Sequence, residues 1–499
     1  MKEKLNSGKS KAGWQEMHDL IRSLTPNEKG YFRKYSTGFS AGSSHTYLKL
    51  FSILEKQEVL NDKQIKNQMG RDVNIHSMRK FLYNQVLRSL RAYHKGKNSQ
   101  YKLREMMDYA EILSDKGLFE QSQQFITKGI EMSDPVTFPA YQILFQTQQI
   151  QMLRFFNEEE KIKKTDEIVH SITESAEIIK HAYITRQGLT KALYYVNTYF
   201  PLRDVSVKED VNKLLEELKA VPDTAKQNYR MRNTRNAAIS LLYRLLSDWD
   251  QAIIYQEKTI RIMEDMDAQI LNRNLPVISA YYNYLSLFLN KGDDDAYEKQ
   301  MQKMMVLPVS GKSEERYLKA LIIQLHLDHL IFSKQFLKPA DVINDAEIFL
   351  KEPHPIPGIY HDTLMRLAAW YIFTKDFSAA QEKINMLLQT AFVHTLRSFP
   401  LHVRLMHILV HYELNNTLLL PSLIRNTYRF MMKQELAFEI EKTILNFFRR
   451  VLNHINQNDL QREFKNLSRQ LNKAAEDKYE QQALKSFFDY RHWIEIKTN

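Results

Sequence analysis

The chain has 499 residues, 43% of them hydrophobic and 26% charged, a balance that suits a globular protein and argues against wholesale disorder. It contains only 13 Gly and 13 Pro and no Cys. Sparse turn residues disfavour an all-β fold and favour long helices, and the lack of thiols excludes disulfides, zinc–thiolate sites, iron–sulfur clusters and cysteine nucleophiles.

Net charge is +11, and its distribution is uneven: residues 1–104 hold 21 Lys/Arg against 8 Asp/Glu, whereas the remaining 395 are nearly balanced. Such a surplus is a footprint for an acidic partner, whether nucleic acid, an anionic surface or an acidic protein. The first twenty residues are basic without an apolar h-region and do not read as a signal peptide. No run approaches the ~20 apolar residues of a spanning helix. The most apolar stretch, Leu321 to Phe332, is interrupted by Gln324, His326, Asp328 and His329. A soluble cytoplasmic protein is expected.

In chain order, residues 1–12 read as a disordered basic tail and 13–102 as a basic helical segment. A helix is expected from Trp14 to Leu24, with Trp14, Met17, Ile21 and Leu24 on its apolar face. Thr25-Pro26-Asn27-Glu28 is a capping box with proline at the first helical position. Ser36 to Ser44 reads as a loop, Thr46–Gln57 and Asp62–Met69 as helices, and Gly70 as a stop. A longer helix follows over Ser77–Tyr93, with an apolar stripe of Met78, Leu82, Val86, Leu90 and Tyr93. Lys80, Asn84, Arg88, Arg91 and Lys95 line another face as candidate contacts to nucleic acid or an acidic protein. A short helix, a turn and a long basic helix resemble a helix-turn-helix. The turn from Gly70 to His76 exceeds the usual three to four residues, and the same residues also fit a helical hairpin with a solvated basic face.

Residues 103–465 read as helix after helix, with apolar residues recurring at three and four, as in Leu364, Leu367, Ala368 and Tyr371. Short polar turns fall at Gly117, Asn157, Arg203, Ser247, Gly292, Lys334, Lys375, Asn416 and Asn458, in steps of 40, 46, 44, 45, 42, 41, 41 and 42 residues. A fixed period of this kind signals stacked supersecondary units, none of which can bury its apolar face alone. Ser247-Asp248-Trp249-Asp250-Gln251-Ala252 and Lys375-Asp376-Phe377-Ser378-Ala379-Ala380 share one pattern. A turn residue and Asp precede an aromatic, and a small residue three positions on lets two helices approach closely. Gly117–Ser122 and Lys334–Pro339 are looser versions.

These residues resemble the tetratricopeptide (TPR) family. Ahead of Ser247 stand Asn236, Ile239, Ser240 and Tyr243, and ahead of Lys375 stand Leu364, Leu367, Ala368 and Tyr371, where that family has a large residue, Leu, Gly and Tyr. Pro135 and Pro308 fall near its helix-ending proline. The period is longer than the family's 34 residues and nearer the HEAT spacing. The resemblance implies an all-α fold, an α-solenoid of stacked antiparallel helix pairs, and a partner surface lined by the first helix of each pair. There Arg235, Asn236, Tyr282 and Asn283 are the candidate partner-binding residues. Pro353 to Gly358 reads as a non-helical connector, Leu307–Ser313 as a second break, and Leu467–Trp493 as one long amphipathic helix in a C-terminal cap over 466–499.

No catalytic chemistry emerges. Gly8-Lys9-Ser10 and Gly311-Lys312-Ser313 lack the glycine that a phosphate-binding loop needs five residues earlier, where Glu3 and Val306 stand. His407 and His411, with His402 nearby, and His326 and His329 around Asp328 lack the Glu of a zincin and a third ligand at fixed spacing. Gly292-Asp293-Asp294-Asp295 lacks the alternating acids of a calcium loop and reads as an acidic helix start. The expectation is a non-enzymatic scaffold that binds a protein or peptide, with no cofactor and no metal. The alternative is a nucleic-acid-binding regulator that uses the basic N-terminal segment, with the solenoid as sensor or oligomerisation arm.

Overall fold

The computed structural model describes residues 14–37, 44–57, 60–69, 75–96, 98–153, 157–222, 229–265, 275–309, 311–336, 341–352, 356–391, 396–452 and 457–498. Among them the chain forms 24 helices and no strand, so the all-α expectation holds. None of these helices is long and apolar enough to cross a membrane. The tail 1–12, most of the loop after Ser36, the turn after Gly70 and Pro353–Pro355 lie outside the described residues. Two compact units divide the chain, Met1–Ala176 and Glu177–Asn499. The division falls within one helix, away from the 102/103 boundary drawn from charge and period.

Unit 1 opens with α1 (14–23), α2 (Pro26–Thr37), α3 (Ser44–Lys56), α4 (Asp62–Met69) and α5 (Ile75–His94). The capping box starts α2: the Thr25 N–H donates to Glu28 Oε2 at 2.8 Å, and the Glu28 N–H donates to Thr25 Oγ1 at 3.3 Å. Trp14, Met17, Ile21, Phe32, Phe51, Leu82 and Val86 belong to its core. The stripe read along α5 therefore does face inward, against α2 and α3. Then follow α6 (Ser99–Asp115), α7 (Phe119–Met132) and α8 (Pro139–Met152).

Helix α9 (Glu158–Tyr199) runs for 42 residues without a break. This corrects the helix pair expected between turns at Asn157 and Arg203. Asn157 caps the helix, its Oδ1 accepting from the Glu160 N–H at 2.9 Å. The interior holds no Pro and one Gly, so no stop signal interrupts it.

Unit 2 continues with α10 (Val205–Ala220), α11 (Tyr229–Leu245), α12 (Trp249–Glu264), α13 (Leu275–Lys291), α14 (Asp294–Met305) and α15 (Lys312–Phe332). Next come α16 (Asp341–Leu350), α17 (Pro357–Phe373), α18 (Phe377–Leu388), α19 (Phe399–Glu413), α20 (Leu420–Lys433) and α21 (Glu439–Val451). Pro357 and Gly358, expected in a connector, instead begin α17.

One turn chemistry recurs through both units. Gly117, Ser247, Gly292, Lys334 and Lys375, each expected as a turn, have φ of 76°, 53°, 82°, 55° and 65°. This left-handed conformation ends a helix in a Schellman motif, where the next N–H reaches back to a carbonyl of the last turn. The Asp248, Asp293 and Asp376 N–H groups donate to Tyr243, Phe288 and Tyr371 carbonyls at 2.9, 3.0 and 2.8 Å. The same aspartates then cap the following helix by accepting from the Gln251, Ala296 and Ala379 N–H groups. The expected turn at Asn416 centres on Asn415, and a further one at Glu435 had no sequence signal. Asn458, expected as a turn, lies in the first turn of α22 (Gln457–Ala474).

Small residues seat the paired helices. Ser240 Oγ donates to the Ala252 carbonyl at 2.8 Å, and Ser122 Oγ to the Ala110 carbonyl at 2.7 Å. Ala368 and Ala380 are fully buried at the corresponding places in α17 and α18.

The tail departs most from expectation. In place of one helix over Leu467–Trp493 there are three: α22, α23 (Lys478–Ser486) and α24 (Tyr490–Thr498). Asp477 breaks the first from the second by capping the Tyr479 and Glu480 N–H groups at 2.8 and 3.1 Å. Nor is the tail a polar cap, because Phe487, Phe488, Tyr490 and Trp493 are buried in the unit's main core.

Candidate functional site

Three places carry the chemistry. The first is the outer face of α5. Its 20 residues contain no acid. Lys80, Asn84 and Arg88 are exposed, and among the described residues they have no hydrogen bond or ion pair. Phe81, Tyr83 and Leu87 are exposed beside them. Arg91 and Lys95, expected on the same stripe, are instead paired with acids of α6: Arg91 with Asp108 at 2.9 Å, and Lys95 with Glu105. The candidate stripe is therefore reduced to three of its five residues.

The second place is the start of α11. Arg235, expected to face a partner, is buried. Its Nε donates to the Leu218 carbonyl at 2.9 Å and Nη2 to the Lys219 carbonyl at 3.5 Å. It thus adds a side-chain donor to carbonyls at the C-terminus of α10, a packing role that the spacing of α11 could not reveal. Asn236 is 1% exposed. Its Oδ1 accepts from Arg235 at 3.4 Å, while its Nδ2 has no partner among the described residues. It borders a cleft of about 400 Å³ lined also by Tyr229, Arg232, Lys258, Arg261 and Asp265. Arg261 is held by Glu257 one turn back.

The third place was not anticipated as a site. On the alternate helices α13, α15 and α17, polar residues recur at i, i+4: Tyr282, Ser286 and Asn290; Gln324 and Asp328; Asp362 and Arg366. With Arg244 of α11 they line a cavity of about 100 Å³ that Ser486 and Phe487 also line. Arg366 Nε is paired with Asp328, and its Nη1 donates to the Ser486 and Phe487 carbonyls at 2.9 and 3.4 Å. Gln324 Nε2 donates to Asp362 Oδ2 at 3.2 Å. The Arg244 guanidinium lies over the Phe200 ring at 5.4 Å, and its Nε has no partner.

Burial pushes both carboxyl groups up, Asp362 to about 6, against the opposing pull of Arg366. It also raises the Tyr282 phenol and lowers the Arg244 guanidinium. Tyr282 therefore belongs to this interior cluster, whereas Asn283 beside it is half-buried and outside the cavity lining. The signal for the cluster lay in the charged residues that interrupt apolar helices, Asp328 above all.

A related ion cluster ties distant segments together. Arg203 Nη1 donates to both oxygens of Glu441 at 2.8 and 2.9 Å, Nη2 lies 3.2 Å from Glu480, and His402 Nε2 lies 3.4 Å from Glu441. Burial raises Glu480 to about 7 despite Arg203, and lowers His402 to about 4 despite Glu441.

Among the described residues no three His, Asp or Glu side chains are grouped to hold a metal ion. His407 and His411 face each other through Nε2 atoms 2.9 Å apart, and burial lowers both, His407 to about 4. His326 is half-buried and likewise lowered by burial, while His329 lies 3.5 Å from Asp294. Asp293 is the N-cap of α14, with Asp294 and Asp295 in its first turn. No protein-family model matches the chain, and no curated protein or solved structure does either.

Proposed function

We propose that the chain is a non-enzymatic scaffold of TPR-like helix pairs stacked as an α-solenoid, and that it binds a partner protein or peptide. The repeat of turn, aspartate cap and small-residue contact at about 40-residue intervals supports the stacked reading. The observation that carries the binding role is Asn236. A buried amide N–H without a partner costs about 1–3 kcal/mol, and this one lies at a cleft bordered by Lys258, Arg232, Asp265 and the Glu257-paired Arg261. An unpartnered donor beside the Lys258 ammonium suits a peptide carboxylate or backbone carbonyl.

Fluorescence anisotropy with labelled acidic peptides, carrying a free or an amidated C-terminus, tests this reading. Carboxylate-ended peptides should bind, and Asn236→Ala or Lys258→Glu should weaken them about tenfold, one charge-assisted hydrogen bond's worth, with helicity unchanged. Equal affinity for both variants and the parent would remove Asn236 from the site.

The α5 face favours a second reading, binding of nucleic acid through Lys80, Asn84 and Arg88, because the two cations are paired with no acid among the described residues. Affinity for duplex DNA should then fall by about 0.9 log units per phosphate contact for each log unit of salt, and the double change Lys80→Glu with Arg88→Glu should flatten that slope. A slope indifferent to both changes would reject it.

A further inference from the structure

The cavity of about 100 Å³ in unit 2 holds polar groups that the scaffold role leaves unused. Most of its polar lining is satisfied by the protein. Arg366 is paired with Asp328 and bonded to two carbonyls. Ser286 Oγ donates to the Tyr282 carbonyl at 2.9 Å, and Asn290 Nδ2 to the Ser286 carbonyl at 2.7 Å. Asn290 Oδ1 accepts from Gln482 Nε2 at 2.7 Å.

Three side chains are left over. Arg244, on α11, makes no hydrogen bond and no ion pair among the described residues, and its guanidinium rests on the Phe200 ring. Asp362, on α17, accepts one hydrogen bond, at Oδ2 from Gln324, and pairs with no cation among the described residues. The Tyr282 hydroxyl, on α13, has no hydrogen-bond partner among them either. Arg244 and Asp362 line the same cavity and feel each other's charge, yet they do not meet as a pair. Burial disfavours the charge on each, and a counter-charge would restore it. Arg244, Tyr282 and Asp362 all keep some exposure, so the cavity is within reach of solvent.

The signs of these charges select the ligand. A simple anion would meet Arg244 but face Asp328 and Asp362. A simple cation would meet Asp362 but face Arg244 and Arg366. A neutral molecule would leave both charges uncompensated, which is costly in a buried site. A molecule carrying both signs a few bonds apart answers both. Size limits it further: beside the benzene-binding cavity of about 150 Å³, this one admits roughly five or six non-hydrogen atoms. Phe200, Met365, Leu396 and Phe399 supply apolar lining for a small side chain.

We propose that this cavity binds a short zwitterionic amino acid of the size of glycine or alanine, with its carboxylate on the Arg244 guanidinium and its ammonium on Asp362. The Tyr282 hydroxyl is the third polar contact. The site is separate from the cleft at Asn236, and either can fail alone.

Thermal unfolding of the full chain with added glycine, L-alanine, acetate, methylammonium or L-phenylalanine tests the assignment. Glycine or L-alanine should raise the melting temperature in a saturable way. Acetate and methylammonium, with one charge each, should bind about tenfold more weakly or worse, and L-phenylalanine should be excluded by its size. Titration calorimetry then reads two variants. Arg244→Met and Asp362→Asn should each weaken the amino acid about tenfold or more, one charge-assisted contact's worth. The second keeps the side chain's shape, should the first fail to fold. No shift with either amino acid would mean that the cavity holds water only, and would overturn the proposal. Equal binding of acetate, or an affinity unchanged in Asp362→Asn, would do the same. Displacement of the amino acid by the acidic peptides offered to the Asn236 cleft would place it there instead and equally overturn the assignment.

Discussion

The outer face of α5 and the interior cluster around Arg366 put similar residues to opposite uses. On α5, Lys80 and Arg88 stand in solvent and pair with no acid among the described residues. Around the cavity of unit 2, Arg366 is largely buried, paired with Asp328 and bonded to the backbone of Ser486 and Phe487. An exposed cation costs little to keep and is available to a partner, whereas a buried one must be satisfied by the protein itself. Net charge along a sequence therefore locates only the first kind. The +13 surplus pointed to residues 1–104, while the nearly neutral remainder concealed the more consequential charges.

Arg366→Met should break the contrast most severely. It leaves Asp328 without its paired cation and only Arg244 to face the two buried carboxyls, and removal of one partner of a buried pair costs about 3–5 kcal/mol. Chemical denaturation should show that loss, and a loss below about 1 kcal/mol would mean that water already screens the cluster. In unit 1 the larger sensitivity belongs to packing. A Cβ on Gly129 would stand 2.3 Å from the Phe145 ring, so Gly129→Ala should cost about 1–3 kcal/mol by overpacking, read by the same method.

The interior charges should also make stability depend on pH. Glu480 is raised to about 7 in the folded chain from 4.5, so the native state keeps a proton that the unfolded state has lost. Stability therefore falls as pH rises from about 4.5 through 7, and Asp362, raised to about 6, acts in the same direction at lower pH. Buried His402 and His407, lowered to about 4, act oppositely: below pH 6.5 the unfolded state takes up protons that they refuse. Between pH 6.5 and 8 these histidines offset Glu480, so its own contribution is read as a difference: scanning calorimetry should find that the melting temperature of the parent relative to Glu480→Gln falls by about 1 °C from pH 6.5 to pH 8. A parent-to-variant gap that stays constant over that range would contradict the placement of this carboxyl.

The smallest effect is expected on α5. Lys80→Glu and Arg88→Glu should each change stability by no more than about 0.5 kcal/mol, because neither side chain has a partner to lose. A larger loss would show that this face is packed, which would weaken the nucleic-acid reading.

Much of the fold was legible wherever a few neighbouring residues decide the outcome. The capping box at Thr25–Glu28, the short helix Asp62–Met69, the aspartate caps and five left-handed turn residues each rest on hydrogen bonds between residues at most five apart. The same local reasoning failed where a signal was absent. No stop divided α9, and Glu435 carries none of the usual marks of a left-handed turn. It failed again for Arg235, because the carbonyls it satisfies belong to another helix.

By itself, the sequence determined the all-α class, many of the helices and the chemistry of most turns, since these follow from backbone hydrogen bonding within one or two turns of chain. Only the tertiary structure decided which polar residues are interior and what covers the helix ends. Arg203 meets Glu441 across 238 positions, and Lys478 meets Leu246 across 232. No short-range pattern encodes such a pairing, because what selects it is the burial of Phe487, Phe488, Tyr490 and Trp493 against helices that must already be stacked.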